Sequence, residues 1–281
     1  TFIIPNESRD LIEVWMNDGM PFGSEADAKV YDRRLSSLEN ANLSLTLKEP
    51  YRPTFSDSEN PLNEYRCFAL EHNHTEPFYI KALHPTIDND SMVHHVVLAK
   101  ANDNGLLEGS SNPEGVDCIE NGAFVTGNYQ DASMLGGWAP GMSPVRFPDD
   151  AGLIVRPNEK IVIQMHYYKS ESLDDDATDQ SGFDFEITTE PPENVVTMFP
   201  LGIQDFTIPA GNASYTVTDS FELPIGINIW GVFPHMHVLG TSYEMKTEDE
   251  CLVASDRYDF DNQLTYMFDS PILLEEEPGL V

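Results

Sequence analysis

The sequence predicts an all-β chain: two tandem jelly-roll-like β-sandwich domains preceded by a short N-terminal helical segment. Three observations predict it. From about Asn42 onward, short β-branched and aromatic runs recur between Pro, Gly, Asn and Asp, the pattern of many short strands joined by turns. Only one stretch, near the N-terminus, carries apolar residues at helical spacing. The strand pattern then breaks at TTEPPEN (188–194), whose two prolines cannot donate to a ladder, which sets a boundary near Pro191. The expected organisation is a helical segment over 1–44, a first sandwich over 45–190 and a second over 191–281.

Taken in order, SRDLIEVWMNDGM (8–20) puts Leu11, Ile12, Trp15 and Met16 on one helical face behind a Ser/Asp start. The strand candidates are FYIKAL (78–83), VHHVVLA (93–99), KIVIQMHYY (160–168), FDFEIT (183–188), YTVTDSFEL (215–223), INIWGVF (227–233) and LTYMF (264–268). Alternation in KIVIQMHYY puts Ile161, Ile163, Met165 and Tyr167 on one face. Val162, Gln164, His166 and Tyr168 take the other. The acidic stretch 169–182 reads as a long surface loop.

Composition narrows the function classes. Of 281 residues, 40% are hydrophobic, enough for packed domains, while 15 Lys+Arg against 48 Asp+Glu leave a formal charge of -33. A polyanion of that size repels phosphate backbones and anionic lipid, so no nucleic-acid partner is expected. No run approaches the roughly 20 apolar residues of a membrane span, so no membrane insertion is expected in this segment. The acidic runs 174–176 and 275–277 read as solvated surface and are assigned no calcium. With neither an initiator Met nor a signal peptide at Thr1, the chain reads as a processed or excised part of a longer polypeptide. Cys67, Cys118 and Cys251 have no CxxC spacing, which removes zinc-ribbon, thioredoxin and c-haem readings and leaves one cysteine unpaired.

Five of the eight histidines fall in three strand-like contexts: His94 and His95 in VHHVV, His166 in IQMHYY, and His235 and His237 in FPHMHVLG. On a strand, His235 and His237 project to the same side with Cβ atoms about 6.6 Å apart, close enough for two imidazoles to converge on one ion. Met236 between them points the other way, into a core. Adjacent strand residues diverge, so His94 and His95 meet one ion only through a bulge at Val93–Val96, a strand end, or different ring nitrogens. A single strand histidine is more often a hydrogen-bonded core or rim residue than a ligand. Two clusters in one chain shift the balance toward a metal, and imidazole donors suit Cu, Zn, Fe and Ni alike. His72, His74 and His84 lie by turn-like segments and read as surface residues.

The landmarks YRCFAL (65–70), VHHVVLA (93–99), GGWAPG (136–141), IQMHYY (163–168), GVFPHMHVLG (231–240) and YDFDNQLTYMF (258–268) together resemble the copper type II ascorbate-dependent monooxygenases. Their order and spacing agree over roughly residues 45–281, and the PHMH form is similar to bacterial members. The resemblance implies two copper ions: an electron-transfer copper on His94, His95 and His166, and an oxygen-binding copper on His235 and His237. It implies a role for Gln164 on the route between them, and a disulfide between Cys67 and Cys118 in an oxidising compartment, extracellular or periplasmic. The implied activity is hydroxylation of a C–H bond of a small organic substrate with O2, with electrons from ascorbate. DLIEVWMNDGMPFG (10–23) is similar to the last helix of c-type cytochrome domains that precede this module in some bacterial proteins, which implies a cytochrome-type electron-donor domain instead of ascorbate.

Two departures qualify that reading. The family's oxygen-site methionine lies in an EM-type motif downstream of YDFDNQLTYMF. The chain reaches Val281 before it, and Met267 is expected to be an ordinary strand residue. Where peptide-amidating members carry an arginine two residues before HxH, this chain has Phe233, which favours an apolar or aromatic substrate over a peptide ending in glycine. The competing reading is a secreted structural or assembly protein on the same sandwich with an inactive or structural metal site. A zinc hydrolase fits less well, because neither cluster carries an HExxH carboxylate.

Overall fold

The structure, a computed structural model, describes residues 6–21, 38–58, 61–103, 108–118, 132–139, 142, 144–171, 173–198, 201–203, 206–222, 226–236, 239–247, 250–260, 264–274 and 279–280. Two compact units are present, Thr1–Arg34 and Leu35–Val281. The first holds α1 (Asn6–Asn17). This helix stops where Gly19 (φ 80) and Met20 (φ 55) turn left-handed, and the Met20 N–H donates to the Trp15 carbonyl at 2.9 Å. No helix among the described residues is long and apolar enough to cross a membrane.

In chain order the larger unit contains β1 (Leu43–Thr46), β2 (Asn63–Leu70), β3 (Phe78–Thr86), β4 (Val93–Ala101), β5 (Val116–Asp117), β6 (Ala132–Trp138), β7 (Val145–Arg146), β8 (Ala151–Val155), β9 (Lys160–Tyr168), β10 (Gly182–Thr188) and β11 (Asn194–Val196). One sheet runs β1-β10-β3-β8-β11 with β7 also on β3, and the other runs β5-β2-β9-β4-β6. Their inner faces form one core that includes Phe78, Ile80, Leu98, Ile161, Ile163, Phe183 and Phe185. Each such side chain contributes roughly 1.5–3 kcal/mol on burial. The alternation expected in β9 is present, since Ile161, Ile163, Met165 and Tyr167 all join this core. The result is a β-sandwich with β9 at the centre of the second sheet.

The segment after β9 is a loop, as expected, but its end is not at the surface. Asp179 and Ser181 are buried, and the Asp179 carboxylate accepts from Ser181, from the Asn89 N–H and, at 3.1 Å, from the Tyr167 hydroxyl. A buried carboxylate needs such donors, and these pin the loop across the sandwich. His84 is likewise not a surface residue. It lies within β3, is 2% exposed and faces Asp184 across the β10 ladder, because the strand runs on through HPT where the proline suggested a turn.

The remaining strands are β12 (Phe221–Glu222), β13 (Ile227–Val232), β14 (Tyr243–Lys246), β15 (Cys251–Ser255), β16 (Tyr266–Leu274) and β17 (Gly279–Leu280), paired as the ribbons β12–β17, β13–β16 and β14–β15. Ile229, Leu252 and Leu274 form their own small core, and Trp230 packs on the core of the sandwich. Two strand expectations fail here. Among the described residues, YTVTDSFEL supplies only the two of β12, and β13 ends at Val232, so Phe233–Met236 is irregular. Pro234 explains the second, since it has no N–H for a ladder.

Candidate metal centre

The centre starts from a broken register. In the ladder between β4 and β9, Val93 faces Tyr167, His95 faces His166 and Val96 faces Met165, so His94 is an extra residue opposite a single partner position. Val93 and Val96 both enter the sandwich core. Regular alternation would put residues three apart on opposite faces, so a bulge of one residue is required. The bulge turns both His94 and His95 off the core face, toward His166. It is one of the ways in which adjacent strand histidines can meet a common point.

They do meet. His95 Nδ1 lies 3.1 Å from His94 Nδ1 and 3.1 Å from His166 Nδ1. One candidate ligand atom from each residue lies within 4.8 Å of the others. Nitrogens bound to one ion at roughly 2.0–2.1 Å stand about 3–4 Å apart, so the spacing suits a single metal. All three converge through the same kind of nitrogen, and no split between Nδ1 and Nε2 is needed.

The opposite nitrogen of His166 is held by Asn63, whose Oδ1 lies 2.7 Å from His166 Nε2. A carbonyl oxygen only accepts, so Nε2 carries the proton and Nδ1 is left with its lone pair facing His95. Tyr65 stacks on the same ring, centroids 4.1 Å apart and planes 5° from parallel. Both residues come from β2, where Asn63, Tyr65 and Cys67 face Tyr168, His166 and Gln164 of β9. Asn63 did not stand out in the sequence, and Tyr65 did so only as the first residue of YRCFAL, with no role of its own. Their alternate positions with Cys67, at 63, 65 and 67, were the available signal, but it acquires meaning only with the register. Gln164 is 7% exposed and its amide donates to Cys118 Sγ at 3.4 Å, so it sits against the disulfide.

Replacing Asn63 with Ala is expected to weaken copper binding about 10–100-fold, the usual cost of losing a residue that orients a ligand. Asn63→Asp, which keeps an acceptor, should retain most of the affinity. Competition with a chromophoric chelator measures both, and equal affinity in wild type and Asn63→Ala would show that the tautomer is set elsewhere.

Electrostatics favour neutral ligands. Burial pushes His95 down to about 4, with charge repulsion from His94 and then His235 adding to it. Burial pushes His166 to about 3, with His95 and His94 adding. Neutral imidazole is the form that binds metals. The metal-free fold carries a cost: below about 6.5 the unfolded chain takes up protons at these positions and the folded chain does not. Stability is therefore expected to fall with pH from about 6.5 toward 4, with no contribution from the pair above that window. Between pH 6.5 and 5, where carboxylates of ordinary pKa near 4 stay ionised, the melting temperature of copper-free protein should fall less in a His95→Gln/His166→Gln variant than in wild type. Parallel slopes would remove the pair as the cause.

His235 is exposed on the irregular segment after β13, its ring 6.4 Å from that of Phe233 and inclined by 17°. The same-face strand geometry expected for HxH does not apply to it, and His237 lies outside the described residues. Tyr258 shapes this segment, since its hydroxyl accepts from the Met236 N–H at 2.9 Å and donates to the Met236 carbonyl. Met267 on β16 is 37% exposed, the half-exposed strand methionine expected. Cys67 and Cys118 form a disulfide. Cys251 is free and exposed.

Residues 55–174, which include His94, His95, His166 and both disulfide cysteines, match the family model of the copper type II ascorbate-dependent monooxygenase, N-terminal domain. The match takes in YRCFAL, VHHVVLA, GGWAPG and IQMHYY, four of the six motifs that carry the resemblance.

Proposed function

We propose, from that family match and the geometry of the three histidines, that this chain is the copper-binding part of a monooxygenase that hydroxylates a C–H bond of a small organic substrate with O2. The observation that carries the reading is the bulge in β4, which brings His94, His95 and His166 together with ligand atoms within 4.8 Å. The donor set fits copper: three neutral imidazoles, one with its tautomer fixed by Asn63. His235 and His237 are the proposed holders of a second, oxygen-binding copper. When bound, the two ions supply one-electron transfer and oxygen activation respectively.

The chain's own residues do the rest. Asn63 and Tyr65 hold the His166 ring in position, and burial of His166 keeps its imidazole neutral and limits water. Gln164, on the His166 face of β9, is a candidate for the route between the ions. Tyr258 fixes the backbone between the two histidines of PHMH. Phe233, exposed beside His235, presents an apolar aromatic surface where a carboxylate-binding arginine is absent, so an apolar or aromatic substrate is proposed. Electrons come from ascorbate or a cytochrome-type donor domain, and the disulfide suits an extracellular or periplasmic site.

Metal analysis of the full-length protein tests this. Two copper ions per chain are expected. A single copper ion defeats the two-site reading, and a protein that binds none is a structural sandwich.

A further inference from the structure

A cleft of about 260 Å³ opens at the edge of the sandwich, at the opposite end of β4 from His94 and His95. Lys100, which lines it, is five residues beyond His95, roughly 16 Å along an extended strand. The cleft lies between β6 of one sheet and β8 and β11 of the other, and the bridge between Met134 and Met198 joins its two sides.

The polar groups here are unusual for this chain. Lys100 is 8% exposed, and its ammonium donates to the Ile154 carbonyl at 2.6 Å and to Glu159 at 3.2 Å. An ammonium has three N–H donors, so one remains without a protein partner among the described residues. Ser133 stands directly opposite Lys100 in the β4–β6 register, on the same face, and its hydroxyl makes no hydrogen bond among the described residues. Arg156 also lines the cleft. The lining therefore carries two cations against the one carboxylate of Glu159, in a chain whose formal charge is -33. Leu135 and Leu153 are buried and apolar, and Val196 completes that wall.

We propose that this cleft is a binding site for a small amphipathic monocarboxylate, its carboxylate held by Lys100 and Ser133 and its hydrocarbon body against Leu135, Leu153 and Val196. A dry cavity of about 150 Å³ accommodates benzene, so the larger volume here has room for a body of about six to eight carbons with a carboxylate. A charge-assisted bond to Lys100 separates such an acid from the neutral alcohol of the same length. Glu159 disfavours dianions, and the apolar wall disfavours small inorganic anions. The site is independent of copper, and its occupant contacts β11, which leads out of the sandwich.

The test uses the full chain with octanoate as probe and 1-octanol as its uncharged counterpart, followed by calorimetry and by the shift in melting temperature. Octanoate is expected to bind about tenfold or more tightly than octanol, and to lose about tenfold or more in Lys100→Met. Val195→Glu provides a second variant: Val195 lines the cleft but is 54% exposed, so a carboxylate there repels the ligand without disturbing the fold. Copper content should be the same in wild type and both variants. Equal binding of octanoate and octanol overturns the proposal, as does either variant binding octanoate like the wild type, or no binding up to about 10 mM.

Discussion

Replacing His166 with Ala should remove one copper ion per chain and leave the other in place. His166 is the member of the cluster with the most support, because it faces His95 at 3.1 Å, bonds Asn63 at 2.7 Å and stacks on Tyr65. Losing a residue that merely orients a ligand costs about 10–100-fold in affinity, so losing the ligand itself should cost more than about 100-fold. His95→Ala is expected to match it, since His95 Nδ1 is the atom the other two approach. His74→Ala is the control: this histidine packs its ring on Phe78 away from the cluster, and its loss should leave both coppers bound. Metal analysis after gel filtration, with circular dichroism to verify folding, reads all three variants. Full copper occupancy at undiminished affinity in His166→Ala would sink the three-histidine site.

Much of this site was legible in the sequence because strand alternation is a local property. KIVIQMHYY displays its two faces without reference to anything else, and the clash between adjacent His94 and His95 announced the need for a bulge or its equivalent. What was not legible depends on register and on three-dimensional cover. Asn63 and Tyr65 matter because β2 pairs with β9 in one particular alignment, and nothing within NEYRC specifies that alignment. His84 looked like a turn residue because Pro85 follows it, but β3 tolerates that proline. YTVTDSFEL has the composition of a strand, yet a strand persists only where a neighbour accepts its hydrogen bonds, and among its described residues only Phe221 and Glu222 find one, in β17. Phe233–Met236 is not a strand because Pro234, which has no N–H, interrupts the ladder just where the histidines begin.

Breaking the Cys67–Cys118 disulfide is expected to destabilise the protein by about 4 kcal/mol, the chain-entropy value for a closed loop of this size. The loop spans a sequence separation of 51 and carries the whole of β3 and β4, so its freedom in the unfolded chain is what the crosslink removes. Both sulfurs are buried, and the bond ties β2 to the end of β5, where Gly115 (φ 55) approaches so closely that a Cβ would stand 2.6 Å from the Cys67 carbonyl. A Cys67→Ala/Cys118→Ala variant should lose about 8–16 °C in melting temperature, using about 2–4 °C per kcal/mol for a domain of 150–250 residues. The effect should extend to the metal. Cys67 faces Gln164 across the ladder, two residues from His166 on the same strand, and Gln164 donates to Cys118. The same loop carries His94 and His95, so losing the crosslink relaxes both sides of the cluster together. Copper affinity at the histidine cluster should therefore fall while the second copper is retained. A melting temperature lowered by only a few degrees, with the first copper held as tightly as before, would mean that the sheet alone keeps these strands in register.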